Sequence, residues 1–514
     1  MITRRRAIKT LGIGSLGAYL AKGTFTFAAE RAILNGGNPL SIPELAQGEL
    51  SEGTRKFQLN LQQGSREFFP NISTPTFGIN GNYLGPTLRF QRNELVSLQV
   101  NNQLGEPSTL HWHGFHVPAQ EDGGPHQVIA NGDSWTAQFS VRQFASTFWY
   151  HSHMLHSSGE QVYKGLAGMI IVEEDDLQLE LPSTYGVDDI PLIVQDRRFS
   201  NDGSFQYLSA YQDSVIGMHG DTILVNGTAQ AYLEVSTTLV RFRLLNASNA
   251  RTYTFAFSDG RDFKQIASDG GFLEKPVTLN KLELAPAERG EIVVDFSDGQ
   301  QLQLVSLGRV TNFPEFPGAM SEMMRSLNAQ EFDILDIRPQ EKLQNSAELP
   351  EHLTSIYRLP EAAASNTRQF KLSMGSGMRS GDDRGPGTGS RNGNGGGYGG
   401  GNFSINGRRM DTNFINERIQ FNTTEIWELS NNSPMMHPFH VHNGQFQLLD
   451  RDGQPPSENE LGWKDTVRVG SGEKVRIIMR FTDFTDNESA YMYHCHILEH
   501  EDNGMMGQFL VIRE

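Results

Sequence analysis

The chain has a single cysteine, Cys495, in 514 residues. An internal disulfide is therefore excluded, and the lone thiol must be buried, bound or reactive. Positive charge is also scarce: 43 Lys and Arg face 60 Asp and Glu, for a net charge of −17. That balance argues against nucleic acid or an anionic membrane as partner and favours cations. The apolar stretch near the N-terminus, Leu11–Leu20, is too short to span a bilayer, so no membrane span is expected. Segments with a 3.6-residue apolar period are few. Runs rich in Val, Ile, Thr and Phe alternate with polar residues instead, among 53 Gly and 22 Pro. The expected fold is all-β with many short strands. A chain of this length exceeds one core, so about two to four domains are expected.

The first residues stand apart. "TRRRAIK" (Thr3–Lys9) puts an arginine pair ahead of "LGIGSLGAYL", and "TFAAE" (Thr26–Glu30) supplies small residues for cleavage. The order resembles a twin-arginine export signal, with Ala7 where such signals usually carry Phe. Cleavage near Ala28 or Ala29 removes five positive charges and no acidic one, which moves the net charge from −17 to −22. The expectation is a protein exported folded to the periplasm or an equivalent compartment. A basic tail without export function is the alternative.

Three passages read as variations on one unit: Tyr83–His116, Thr238–Phe257 and Thr423–His442. Each has an alternating strand, an Asn-rich turn and a second strand. Each unit continues into another alternating strand: "DSWTAQFSV", "RGEIVVDFS" and "GEKVRIIMRF". The first and third then match further. "FWYHSHMLHSSGEQVYKGLAGMIIVEE" parallels "YMYHCHILEHEDNGMMGQFLVIRE", whereas the second unit has no histidine pair. The expected division is a signal peptide over 1–29 and homologous β-sandwiches over 30–178, 179–345 and 346–514. Metal chemistry belongs to the first and last. Within the last, Gly375–Gly401 holds 13 glycines in 27 residues. It reads as a long disordered hairpin loop that could cover a site entrance.

Ten of the 15 histidines fall in four clusters: His111 and His113; His151 and His153; His437, His440 and His442; His494, His496 and His500. The other five, His116, His126, His156, His219 and His352, read as ordinary. His-x-His on a strand projects both rings to one face. In "HCH" the cysteine then points to the other face, so one peptide presents sulfur to one metal and imidazoles to others. A thiolate, two imidazoles and a weak thioether make a blue-copper set. Cys495, His437, His500 and Met505 supply it. Eight imidazoles remain in pairs, more than one zinc site uses, and they call for several ions.

These four clusters, in the order HWHG, HSH, HPFHVH and HCHILEHEDNGMM, resemble those of the multicopper oxidases. The resemblance covers essentially the whole chain after the signal. Within that family the chain looks most like the bacterial three-domain cuprous oxidases, laccases and bilirubin oxidases, with "GWKDTV" and "QEDGGP" in support. The resemblance implies three cupredoxin-like Greek-key β-sandwich domains and four copper ions. Cys495, His437, His500 and axial Met505 would hold the type 1 copper, and His111 and His440 the type 2 copper. His113, His151, His153, His442, His494 and His496 would hold the type 3 pair. No ligand position is substituted. Four one-electron oxidations would then feed, through Cys495, the reduction of O2 to two waters. Asp122 and Glu501 match the family's buried proton-handling carboxylates. Asp465 matches a residue orienting a ligand histidine, with a surface salt bridge as its other reading. Met505 should give a lower potential than Leu or Phe would.

The electron donor is expected to be a phenol, an aromatic amine or Cu(I). Candidate thioethers for Cu(I) are Met320, Met323, Met324, Met374 and Met378, although spacing i, i+3, i+4 is also ordinary helix packing. Met435 sits where some relatives have a substrate-contacting methionine. Ser433 stands where its acidic partner would be. Two other readings exist: copper sequestration without turnover, and a cell-envelope role, as in relatives that keep the fold and lose the ligands. The survival of all ten histidines and Cys495 opposes the second. The chain is expected to act as a monomer.

Overall fold

The computed structural model describes residues 37–309 except 176 and 178, then 319–375 and 402–513. The export segment 1–29 and nearly all of Gly375–Gly401, with Met378, lie outside the described residues.

The described residues form six sheets, paired into three sandwiches around three large cores. The strands arise where apolar residues alternate, because successive side chains point to opposite faces. In Leu95–Gln103, Val96, Leu98 and Val100 face the core while the residues between them are partly or fully exposed. Lys474–Phe481 repeats the pattern in the last sandwich with Val475, Ile477 and Met479 inward.

One sheet of the first sandwich runs Leu45–Ala46, Thr87–Gln91, Ala167–Glu173, Ser146–His151, His111–His113. One sheet of the third runs Glu417–Gln420, Met506–Ile512, Tyr491–Cys495, His437–Val441, Thr466–Val469. Both place the histidine-bearing hairpins side by side. His151 pairs with His111, and His440 with His494. The middle sandwich has a seven-stranded sheet and a six-stranded one. The edge of the latter is Asn38–Pro39, which runs parallel to Ala231–Thr237. The first described strand therefore belongs to the middle sandwich.

Charged side chains join the sandwiches. Arg243 pairs with Asp189 at 2.7 Å and Glu291 at 2.9 Å, and Thr147 of the first sandwich donates to Glu291 at 2.7 Å. The short helix Leu498–Asp502 packs on Ser158–Lys164 and Tyr211–Ile216. Its Asp502 carboxylate accepts from the Ser158 and Gly159 amides at 3.0 and 2.9 Å. Its Glu499 accepts from the Met218 amide and the Asn249 side chain at 3.0 and 2.7 Å. One turn of the third sandwich thus holds both others.

Candidate metal centres

Strands His111–His113 and Ser146–His151 bring His111, His113, His151 and His153 together from the first sandwich. His437–Val441 and Tyr491–Cys495 bring His440, His442, His494 and His496 from the third. All eight are buried. Rings from the two sandwiches stack across the boundary, His113 on His440 at 3.7 Å and His111 on His442 at 4.0 Å. Three groups have ligand atoms mutually close enough for one ion: His113, His151 and His496; His153, His442 and His494; His111, His440 and His442.

In five rings the outward nitrogen is spoken for, which fixes the inward one as a lone pair. His111 Nδ1 donates to the Asp122 carbonyl at 2.8 Å and His440 Nδ1 to the Asp465 carbonyl at 2.8 Å. His151 Nδ1 donates to the Ser152 carbonyl at 2.8 Å. His442 Nδ1 donates to Asp122 Oδ2 at 2.6 Å. His113 is reversed: its Nε2 donates to Asp465 Oδ1 at 3.1 Å, leaving Nδ1 inward. Inside, His494 Nε2 faces His153 Nε2 at 3.1 Å and His442 Nε2 at 3.3 Å, and His113 Nδ1 faces His151 Nε2 at 3.4 Å. His111 Nε2, His440 Nε2 and both His496 nitrogens have no protein partner. Buried polar atoms without partners are costly, and facing lone pairs repel; cations between them relieve both. Burial, then the neighbouring imidazoles, hold His113 and His442 far below the usual imidazole range, and burial brings His111 to about 4. The rings are neutral and ready to ligate. This donor set fits copper.

Two carboxyls border the cluster. Glu501 Oε1 lies 3.3 Å from His153 Nδ1 and Oε2 lies 3.2 Å from His494 Nδ1. Asp122 bonds His442 and lies 3.5 Å from His111 Nδ1. Burial raises both carboxyls well above the ordinary range. Asp465, expected either to orient a histidine or to sit in a surface pair, is fully buried and bonds His113.

Cys495 points to the opposite face, into the core of the third sandwich, beside Phe439 in register. Its Sγ lies 3.3 Å from His437 Nδ1 and 3.7 Å from His500 Nδ1. Ser433 Oγ bonds His437 Nε2 at 2.7 Å, and His500 Nε2 donates to the Val215 carbonyl at 3.0 Å. The Phe403 ring stacks on His500 at 4.1 Å. Met505 is fully buried in the same core, its amide donating to the His500 carbonyl at 2.9 Å and its carbonyl accepting from the Cys495 amide at 3.0 Å. Burial pushes the thiol up, so a metal must displace its proton.

A cavity of about 370 Å³ opens beside this centre, lined by Met324, Met435, Met436, Ile497 and His219 among others. Of the other candidate thioethers, Met323 and Met374 pack on the third core. Sequence reasoning missed Arg289. It is fully buried, and its Nη1 and Nη2 fork onto Asp465 at 2.8 and 2.7 Å. Nε and both Nη atoms also donate to the carbonyls of Thr147, Ala287 and Asp269. The middle sandwich, which holds no ligand, thereby fixes Asp465 and through it His113. The segment "RGEIVVDFS" carried no signal for this, because an arginine opening a strand normally faces solvent. His116 is another tie between sandwiches, with Nδ1 donating to the Asn443 carbonyl at 2.6 Å and Nε2 lying 3.0 Å from Asp483 Oδ2.

Family models described as multicopper oxidase match residues 60–176, 200–312 and 387–514. The chain is 35% identical over 492 residues to a multicopper oxidase of Staphylococcus haemolyticus, covering 94% of this chain and 95% of that one. It is 34% identical over 511 residues to the cell division protein FtsP of Dickeya dadantii, covering 99% and 98%. A solved laccase-like multicopper oxidase from Ochrobactrum sp., with activity towards lignin model compounds, superposes with a TM-score of 0.80 at 32% identity, covering 92% of this chain and all of that one. Three cupredoxin-like sandwiches, a buried thiol–imidazole set, an eight-histidine cluster and these matches agree: the chain belongs to the multicopper oxidase family.

Proposed function

We propose that the protein is a four-copper oxidase that takes electrons singly from a small reducing donor at Cys495 and reduces O2 to two waters at the histidine cluster. Cys495, His437, His500 and Met505 would hold the type 1 ion. His111 and His440 would hold the type 2 ion. His113, His151 and His496 would hold one type 3 ion and His153, His442 and His494 the other. The carrying observation is the convergence of eight buried imidazoles whose inward nitrogens face one another, with those of His111, His440 and His496 lacking any protein partner.

Copper, when bound, supplies the one-electron chemistry and the O2-binding cluster. The chain supplies the rest. Strand Tyr491–Cys495 and the residue after it put the thiol on one face and His494 and His496 on the other, so only a few covalent bonds would separate the two metal sites. Asp122 and Glu501, whose carboxyls burial pushes towards the neutral form, would hold protons within reach of the cluster. Arg289 and Asp465 fix His113. Ser433 fixes His437. The domain limits 30–178, 179–345 and 346–514, export by the twin-arginine route to the periplasm, and action as a monomer belong to the same reading. The donor class is a phenol, an aromatic amine or Cu(I).

The FtsP relatives favour a second reading, a cell-division role without turnover. Copper sequestration is a third. Loading with copper separates them. The oxidase reading expects an intense blue absorption and O2 uptake with 2,6-dimethoxyphenol or Cu(I). A colourless protein that consumes no O2 sinks it; blue colour without O2 uptake points to sequestration.

A further inference from the structure

We propose that His219 is the proton acceptor for hydroxyl-bearing donors, a catalytic residue on the donor side of the molecule; the proposal rests on the oxidase reading. Met435 and Met436, which line the cavity, directly precede His437, and Ile497 follows His496. A donor in the cavity therefore sits against the Cys495 centre. A phenol that loses an electron becomes a strong acid, and its O–H proton needs an acceptor within hydrogen-bond reach.

The carboxylates of the cavity wall are poor candidates. Glu283 is held in a fork by Arg309, both bonds at 2.8 Å. Glu460 pairs with Arg451 at 2.7 Å and Arg468 at 3.2 Å, and Glu473 pairs with Arg451 at 3.1 Å. Burial favours the neutral acid at Glu460, but Arg468 and Arg451 outweigh it and hold the group at about 2. These groups are neutralised where they stand.

His219 differs. It is the one histidine lining the cavity. Its Nδ1 donates to the Gly217 carbonyl at 3.0 Å, which leaves Nε2 as the lone pair. Nε2 has no hydrogen-bond partner among the described residues. The charged and titratable groups around the ring are Arg251, Asp196, Arg198 and His500. Asp196 is already committed to Arg251 at 2.7 Å. Burial first, then Arg251, bring the imidazole down to about 4, so it is neutral at physiological pH.

The step balances as follows. The phenolic O–H bond breaks, the proton goes to His219 Nε2, and the electron goes to the type 1 centre. The phenoxyl radical leaves. The imidazolium, disfavoured beside Arg251 and Arg198, returns its proton to water. Hexacyanoferrate(II) gives an electron and no proton, so it does not call on His219.

The test compares kcat/KM for 2,6-dimethoxyphenol with kcat/KM for hexacyanoferrate(II) in copper-loaded wild type, His219→Gln and His219→Ala. We expect the phenol-to-hexacyanoferrate ratio to fall about 100-fold in both variants, and added imidazole to raise it again in His219→Ala. Independently, 15N-histidine NMR of the full copper-free chain should show His219 Nε2 shifting as 4-nitrophenol is added. A ratio unchanged in His219→Gln, or an Nε2 signal unmoved by saturating 4-nitrophenol, overturns the proposal. A wild-type protein that oxidises neither donor sinks the oxidase reading itself, and this proposal with it.

Discussion

The Cys495 group takes its three residues, His437, Cys495 and His500, from one sandwich. The histidine cluster draws four rings from each of the first and last sandwiches and is braced by Arg289 from the middle one. The first is built like a core: a thiol among Phe439, Phe403 and Met505, with fixed neighbours in the same sheet. The second is built like an interface, where most rings are positioned by an outward hydrogen bond and the fit depends on how the sandwiches dock. The contrast has one exception in Val215, whose carbonyl reaches His500 from the middle sandwich. Local construction protects a site from distant change, while assembled construction exposes it to every contact that sets the docking.

The largest effect should come from Cys495→Ser. It should abolish the blue absorption and oxidase activity while the histidine cluster keeps its copper, measured by absorption and metal content. Retained blue colour would refute the assignment. Arg289→Met should do the reverse. Stripping one partner from a buried pair costs about 3–5 kcal/mol, so the melting temperature should drop and cluster copper should fall while the protein stays blue. Equal damage to both centres would erase the distinction. Glu501→Gln should leave both centres loaded and bleach normally with donor. Its reoxidation by O2 should slow about 100-fold, read by stopped-flow return of colour.

The smallest effect concerns stability alone. Glu460 is ionised at about 2 when folded, against an ordinary carboxyl near 4.5. Its folded value is depressed, so its contribution is present above about 4.5 and is lost as pH falls towards 2. Glu460→Gln should therefore be less stable at pH 7, by on the order of 2 kcal/mol. It should also lack that part of the acid decline, measured by urea unfolding against pH. An identical pH dependence in both proteins would contradict the pairing with Arg451 and Arg468.

Much of this was legible before the structure. Alternation in segments such as "GEKVRIIMRF" announced strands, since burial on one face leaves a period of two. Histidine spacing announced the cluster, since i and i+2 share a face. The placement of Asp465 against His113 could only be suspected. What stayed hidden depends on long-range approach. Arg289 looks like any strand-opening arginine until Asp465 is brought to it. Nothing in the sequence singles out Glu499, yet it bonds Asn249 and Met218. His219 stood among the ordinary histidines because nothing near it in sequence announces a cavity wall. Asn38–Pro39 is too short to signal a strand and pairs with residues far along the chain.

The arrangement of the ligand groups also makes three of them depend on one short stretch. His496 belongs to one group that could hold a metal ion, His494 to another, and Cys495 and His500 to a third. A chain clipped between His442 and His494 would keep seven of the ten clustered histidines and complete none of these three groups. The same stretch runs into the helix Leu498–Asp502, which docks on the other two sandwiches. Whatever loosens that dock loosens all three groups at once.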